Sequence, residues 1–280
     1  MKTVSLYPNQ KRDPDFQITS SVIDRILSHS AEVKINREYR KFIQKEDPKI
    51  LWVSEEELFC NSEVLITLGG DGTILSVASR AADADLPVFG INLGNVGFMT
   101  AIEKGETERV DALFDGQYST SSRMMLSCLV NGKEELLAMN EVVIAPEKGF
   151  HIVDLTLKAD DKKICDFRAD GLIFNTPTGS TGYSFSAGGA VIDAAFDCIG
   201  VKTISSYLLI NAHHMIFAPE TVFSVSESRE SDSPIVVCGD GRHEKILQKG
   251  DRITIQRSKK RIRLLFLNSE NNIEAFFRKF

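Results

Sequence analysis

"EVLITLGGDGTILSVASRAA" spans residues 63–82, and its reading decides the fold. Residues 63–68 form an apolar, β-branched run without polar alternation, which predicts a strand buried on both faces. The run 73–82 reads as a helix. Between the two stand Gly69, Gly70, Asp71 and Gly72. A buried strand, a glycine turn and a helix form the unit from which parallel α/β sheets are built.

The flanking sequence repeats that alternation. "TVSLY" (3–7) and "ILWV" (50–53) read as strands, and "PVFGINLG" (87–94) as a strand closed by a glycine turn. Residues 15–29 carry Ile18, Val22 and Ile26 beside Ile23 and Leu27, one face of a helix. "SEEELF" (54–59) sets Ser54 three residues before Glu57, a capping box that opens a short helix. After about residue 100 the rhythm changes. A linking helix is predicted over 105–117, and then short β-type runs follow at 126–132, 141–146, 152–160, 170–177, 221–228, 234–241 and 252–258. Turns such as Asn131-Gly132 and Gly239-Asp240-Gly241 separate them. The predicted organisation is an N-terminal α/β domain with a parallel sheet over 1–104, a mainly-β domain over 105–262, and a segment 263–280 that ends in a helix and returns to the first domain.

Composition narrows the function. The chain has 280 residues, 42% hydrophobic and 26% charged, with a net charge of -6. That balance argues against non-specific binding to nucleic acid or an anionic membrane. No apolar run reaches the length of a bilayer span, and the first residues lack the apolar core of a signal peptide. Cys60, Cys128, Cys165, Cys198 and Cys238 are dispersed without a C-x-x-C pair, which predicts reduced thiols in the cytoplasm.

Glycines in the 69–72 turn would allow positive φ and let a ligand approach the backbone, and the helix that follows offers N–H groups to phosphate. No G-K-[ST] follows, so this is not a Walker loop, and the dinucleotide fingerprint G-x-G-x-x-G is absent too. With no lysine at the turn, phosphate charge calls for Mg²⁺ brought in with the nucleotide. Asp71 would repel phosphate. It reads better as a base that takes a sugar hydroxyl's proton, or as a metal anchor; the plain structural alternative is a helix cap. A second glycine-rich stretch, "ADGLIFNTPTGSTGYSFSAGGAVI" (169–192), carries Thr178, Ser180, Thr181, Ser184 and Ser186 as neutral donors and acceptors beside the flat face of Tyr183, a surface suited to a sugar and a base. Asn140-Glu141 heads the strand "EVVI". His213 and His214, as neighbours on a strand, would face opposite ways, and no third ligand lies near them in sequence; they read as a turn or interface feature.

"GGDGT", "GINLGNVGFMT", "NEVVI", "DGLIFNTPTGSTGYSFSAGG" and a late "GDG", in that order, resemble the NAD kinase family of the bacterial type from about residue 60 to the C-terminus. The resemblance implies an NAD kinase/diacylglycerol kinase-like fold. It implies phosphorylation of NAD at the 2′-hydroxyl of the adenosine ribose by ATP or another phosphoryl donor, with a divalent metal. Asp71 matches the family's activating aspartate, and Gly70, Gly72 and Thr73 match its phosphate-side loop. Phe98 matches an aromatic near the adenine. Asn140 and Glu141 match the pair that holds the dinucleotide. Asp170 matches an aspartate at the nicotinamide end, often supplied by a neighbouring subunit. Thr181, Gly182, Tyr183, Ser184, Phe185 and Ser186 are carried over as the adenosine-side wall, and His151 and Arg168 as groups near the substrate phosphates. The family also implies a dimer or tetramer. Gly182 replaces the usual alanine, Ala190 a proline, and Asn95, Ala218 and Arg242 also depart from the pattern. The glycine loop is shared with lipid kinases of the diacylglycerol kinase type and with phosphofructokinases. A lipid kinase and a non-catalytic NADP(H)-binding sensor are therefore the alternatives. The acidic, span-free chain speaks against the first, and the intact Asp71 against the second.

Overall fold

The structure, a computed structural model, describes residues 1–94, 97–149, 151–207, 213–229 and 233–267, with the backbone alone at 243 and 244. Two compact units divide the chain: Met1–Ser122 together with the chain from Arg261 on, and Arg123–Lys260. The predicted terminal helix at 271–280 lies outside the described residues.

The first unit contains β1 (Thr3–Pro8), α1 (Gln17–Ser28), β2 (Glu32–Asn36), β3 (Ile50–Val53), β4 (Val64–Gly69), α2 (Asp71–Asp83), β5 (Val88–Asn92), β6 (Ile102–Glu103) and α3 (Asp111–Phe114). The strands run parallel in the order β5-β4-β1-β2-β3. All six residues of β4 and all five of β5 are buried, as the unbroken apolar runs require of strands covered on both faces. Val22, Ile23 and Ile26 of α1 join Leu6, Val33, Ile35, Ile66 and Leu68 in one core. A fully buried side chain of this size contributes roughly 1.5–3 kcal/mol. Ser54 and Glu57 form the predicted capping box: the Ser54 N–H donates to Glu57 Oε2 at 2.7 Å and the Glu57 N–H to Ser54 Oγ at 3.4 Å. The strand order reverses between β1 and β4, so the crevice at their carboxyl ends is the position where open α/β sheets bind ligands. The Gly69–Gly72 turn stands there.

The second unit continues with β7 (Ser119–Val130), β8 (Lys133–Ala138), β9 (Glu141–Pro146), β10 (Val153–Ala159), β11 (Lys162–Ala169), β12 (Gly171–Asn175), α4 (Tyr183–Ser186), β13 (Ile199–Ile204), β14 (Met215–Phe217), β15 (Phe223–Glu227), β16 (Ile235–Gly239), β17 (His243–Ile246) and β18 (Ile253–Phe266). One sheet runs β11-β10-β15-β18 and the other β14-β13-β12-β9-β16-β17, with antiparallel neighbours in both. Their inner faces share a core in which Leu155, Leu157, Phe223 and Ile253 meet Ile144, Leu172, Phe174 and Val201. The Phe174 and Phe223 rings lie 5.3 Å apart. The last turns of β18 leave this unit and pair parallel with β5 in the first, Leu264 beside Val88 and Leu265 beside Phe89.

Candidate active site

In the first unit the turn after β4 holds one carboxylate by two backbone donors. The Phe98 N–H donates to Asp71 Oδ1 at 2.9 Å and to Oδ2 at 2.8 Å, and the Met99 N–H donates to Oδ1 at 2.9 Å. Asp71 is the first residue of α2, the cap position belongs to Gly70, and no side chain caps the helix. The carboxylate therefore fixes the 98–99 backbone and does not serve as the helix cap. The expectation of positive φ in this turn is not met: Gly70 is extended at φ -118°, and Gly69 is absent from the positive-φ glycines. Space explains Gly69 but does not require glycine at position 70. A Cβ on Gly69 would lie 2.0 Å from Thr73 Oγ1, whereas one on Gly70 would meet nothing within 4 Å, so the backbone is open beside the start of α2. Thr73 is buried, and its hydroxyl accepts from Asn9 Nδ2 at 3.2 Å. Asn9 follows β1 and donates its own N–H to Leu68 O at 2.8 Å, which ties the two strand ends of the crevice together. Asn9 stands in "YPNQK", a stretch that carries no motif, so nothing in the sequence marks it.

In the second unit the head of β9 is held from two sides. Thr176 Oγ1 donates to Met139 O at 2.6 Å, and the Thr176 N–H donates to Asn140 O at 2.9 Å. From the other side the Asp240 carboxylate accepts N–H groups from Met139 at 2.8 Å, Asn140 at 2.8 Å and Glu141 at 3.1 Å. Asn140 and Glu141 are 9% and 8% exposed, yet Asn140 Oδ1 and Glu141 Oε2 have no hydrogen-bond partner among the described residues. Two buried acceptors left open at one strand head could receive a ligand that brings donors. Burial, and then the nearby charge of Asp240, push the Glu141 carboxyl up to about 7, while the Tyr183 backbone N–H pulls the other way.

The "TPTGST" stretch lies against this head. Residues Thr178–Thr181 form a 3₁₀ turn, and α4 follows as a single short turn. A Cβ on Gly179 would lie 2.1 Å from Asn140 O, and one on Gly182 would lie 3.1 Å from Glu141 Oε2. Gly182 thus keeps clear the space over the open carboxyl oxygen. Tyr183 and Phe185 are exposed aromatic faces, Ser186 is exposed, and Thr181 is half-buried. Ser184 is fully buried, so its hydroxyl faces inward. The glycine turn after α4 is anchored twice. Ser180 Oγ accepts the Ile192 N–H at 2.9 Å, and His214 Nδ1 accepts the Ala190 N–H at 2.9 Å while its Nε2 stands 3.2 Å from Asn175 Oδ1. That pairing gives His214 the Nε2–H tautomer, and burial holds its protonation below the usual histidine range. His214 is a structural anchor, and His213 is exposed.

The remaining predicted residues separate into two groups. Phe98 joins Asp71 through its backbone. Asp170 and Arg168 lie at the opposite end of the second unit's strands. Asn175 pairs with Glu141, but Asp170 precedes β12 by one residue and so stands roughly 16 Å of strand away. Arg168 sits 5.8 Å from the ring of Tyr207, whose N–H donates to Arg168 O at 2.9 Å. His151 precedes β10, whose first residue Val153 pairs with Ala169, so it belongs to the same end as Arg168 and Asp170.

Comparison with known proteins gives a consistent outcome. Residues 17–118 match the sequence profile of the ATP-NAD kinase N-terminal domain, and residues 139–267 match that of the ATP-NAD kinase C-terminal domain. A protein of Natranaerobius thermophilus named NAD kinase is 34% identical over 272 residues, which cover 95% of this chain and 93% of the relative. One of Caldanaerobacter subterraneus, also named NAD kinase, is 31% identical over 278 residues, with 97% and 96% covered. Among solved structures, yeast NADH kinase complexed with NADH superposes with a TM-score of 0.89 at 22% identity, covering 99% of this chain and 86% of that one. An NAD kinase from Archaeoglobus fulgidus in complex with ATP gives 0.76 at 24%, covering 100% and 98%. At those identities the two structures speak for the fold alone.

Proposed function

Because the chain belongs to the NAD kinase family and phosphorylates NAD to NADP, we propose that Asp71 is the base that takes the proton from the 2′-hydroxyl of the adenosine ribose. The observation that carries this is the grip of Phe98 and Met99 on the carboxylate. Oδ1 receives two N–H donors, while Oδ2 receives one that it shares with Oδ1. Oδ2 thus keeps a lone pair for a substrate hydroxyl, and the carboxylate is oriented before substrate arrives. The open backbone at Gly70 and the start of α2 suit the phosphates of ATP. In the second unit, Asn140 Oδ1 and Glu141 Oε2 accept from donors of NAD, and Tyr183 offers its face to the adenine. Phosphoryl transfer asks little covalent work of the protein, so orientation and charge balance supply most of the rate. The lipid-kinase and sensor alternatives are not favoured, since both halves of the chain match ATP-NAD kinase domains.

Asp71→Asn tests the assignment. It should lower kcat by about 10²–10⁴-fold, the usual contribution of a general base, while calorimetry shows NAD binding retained. A kcat within threefold of the parent would remove Asp71 from that role.

The metal is Mg²⁺ carried by the triphosphate. Among the described residues no group of three or more His, Cys, Asp or Glu side chains is placed to hold an ion, and Mg²⁺ usually rests on one or two carboxylates plus substrate phosphates. Chelation should stop turnover and leave the NAD dissociation constant unchanged; a chelator that abolishes NAD binding would point to a resident ion. We place the enzyme in the cytoplasm on the strength of its five free cysteines. No described helix is long and apolar enough to cross a membrane.

A further inference from the structure

The turn between β16 and β17 has no part in the roles assigned so far, yet it carries the group most closely engaged with the head of β9. Asp240 and Gly241 both take left-handed backbone, at φ 49° and 68°, in the three-residue connection between Gly239 and its partner His243. β16 is registered on β9 with Gly239 opposite Val142, so the turn projects past the strand head. There the Asp240 N–H donates to Glu141 O at 3.0 Å, and the carboxylate collects the three successive N–H groups of Met139, Asn140 and Glu141. An aspartate that accepts three backbone donors from one segment fixes where that segment's side chains point. It also sets a negative charge against a second, buried carboxyl.

We propose that Asp240 is a positioning residue for NAD: its carboxylate fixes the Asn140–Glu141 pair, and its charge beside the buried Glu141 makes the pair's hold on NAD depend on pH. This rests on the assignment of Asn140 and Glu141 to NAD made above. Glu141 Oε2 is buried and open, and Gly182 keeps the space over it clear. An ionised carboxylate accepts hydroxyl protons about twice as strongly as a neutral group does, so NAD selects the ionised form. Among the described residues the charged group facing Glu141 is Asp240. α4 presents the Tyr183 N–H, and β12 ends in the neutral Asn175 and Thr176. With the Glu141 carboxyl raised to about 7 by burial and by Asp240, roughly half of the free enzyme at neutral pH holds a proton there that NAD must displace. NAD affinity therefore rises with pH through that region.

Titration calorimetry of NAD on the full chain between pH 6 and pH 8.5 tests this, for the parent, Asp240→Asn and Glu141→Gln. In the parent, affinity should rise with pH and binding should release a proton, read from the heat difference between buffers of unlike ionisation enthalpy. Asp240→Asn leaves one acceptor oxygen for three donors and removes the charge. It should bind NAD about 10- to 100-fold more weakly, as expected for losing hydrogen bonds to a charged acceptor, and its pH midpoint should move to lower pH. Glu141→Gln should lose the pH dependence. An Asp240→Asn variant with parental affinity would overturn the positioning role, and one with weakened affinity but an unmoved midpoint would overturn the charge effect. A parent that releases no proton on binding NAD would also overturn it, and this needs no variant that folds. If Glu141→Gln binds NAD like the parent in both affinity and pH dependence, the failure lies in assigning Glu141 to NAD.

Discussion

Asp71 and Glu141 are both carboxylates, and their surroundings give them opposite tasks. Asp71 is half-buried and receives two backbone N–H groups. Glu141 is buried beside a second carboxylate, and its Oε2 has no donor among the described residues. Such a group opposes folding once it ionises. Its folded pKa, about 7, lies above the ordinary 4.5, so the folded state holds the proton more tightly than the unfolded chain does. The stability this lends is complete below the ordinary value and is lost as pH rises through the folded one. Each unit of pKa difference is worth about 1.4 kcal/mol. Glu141→Gln, which cannot ionise, should therefore be more stable than the parent at pH 8 in the ligand-free state, by on the order of 3 kcal/mol in denaturant unfolding, with the gap closing toward pH 5. A gap that stays constant across that range would show that Glu141 is not ionising from a buried state. Asp71 was legible in the sequence because the strand, glycines and helix around it are local. Asp240 was legible only as part of a turn. Its grip on β9 depends on the β9–β16 register across about a hundred residues, which no local pattern encodes.

At the scale of elements, the tightest fit lies between the 3₁₀ turn Thr178–Thr181 and the head of β9. A Cβ on Gly179 would fall 2.1 Å from Asn140 O, 2.4 Å from its carbonyl carbon and 2.7 Å from its Cα, all backbone atoms that cannot swing away. Gly179→Ala should therefore push the turn off the strand head. The expected cost is about 1–3 kcal/mol of stability, the usual range for overpacking, together with weaker NAD binding, since Asn140 moves with its backbone. Denaturant unfolding and NAD titration read both, and parental values in each would mean that the turn shifts freely. Three of the strands that the sequence did not reveal share one property, while β13 (Ile199–Ile204), almost wholly buried, was missed without it. β2 (EVKIN), β8 (KEELLA) and β11 (KKICDFRA) carry charges on their exposed faces, which mask the buried alternation. β18 continues to Phe266, past its predicted end at 258, because Ile262 and Leu264 keep that alternation through "KKRIR". After "TPTGST" α4 runs for only four residues, because the chain must turn at Gly188, φ 81°, to be anchored at Ala190 and Ile192.

At the scale of the whole molecule, Asp170 poses the question of assembly. It stands at the far end of β12 from Glu141, beside Arg168 and the exposed Tyr207. The family resemblance gives it to the nicotinamide end of NAD, and we propose that the NAD it meets is held mainly by a second copy of the chain. On that proposal the working enzyme is a homo-oligomer, and its activity should fall on dilution below the dissociation constant of the assembly. NAD bound across two copies would favour assembly in return. Subunit mixing gives the sharper test. Asp71→Asn chains and Asp170→Ala chains are each expected to be inactive alone. In a two-fold dimer a mixed pair has one site that lacks both groups and one that has both intact. Random exchange makes half the dimers mixed, each with one intact site of two, so about a quarter of all sites should recover. A mixture that stays inactive after exchange is confirmed by mass-tagged chains would confine Asp170 to its own subunit, as would full activity in a species that light scattering finds to be a monomer.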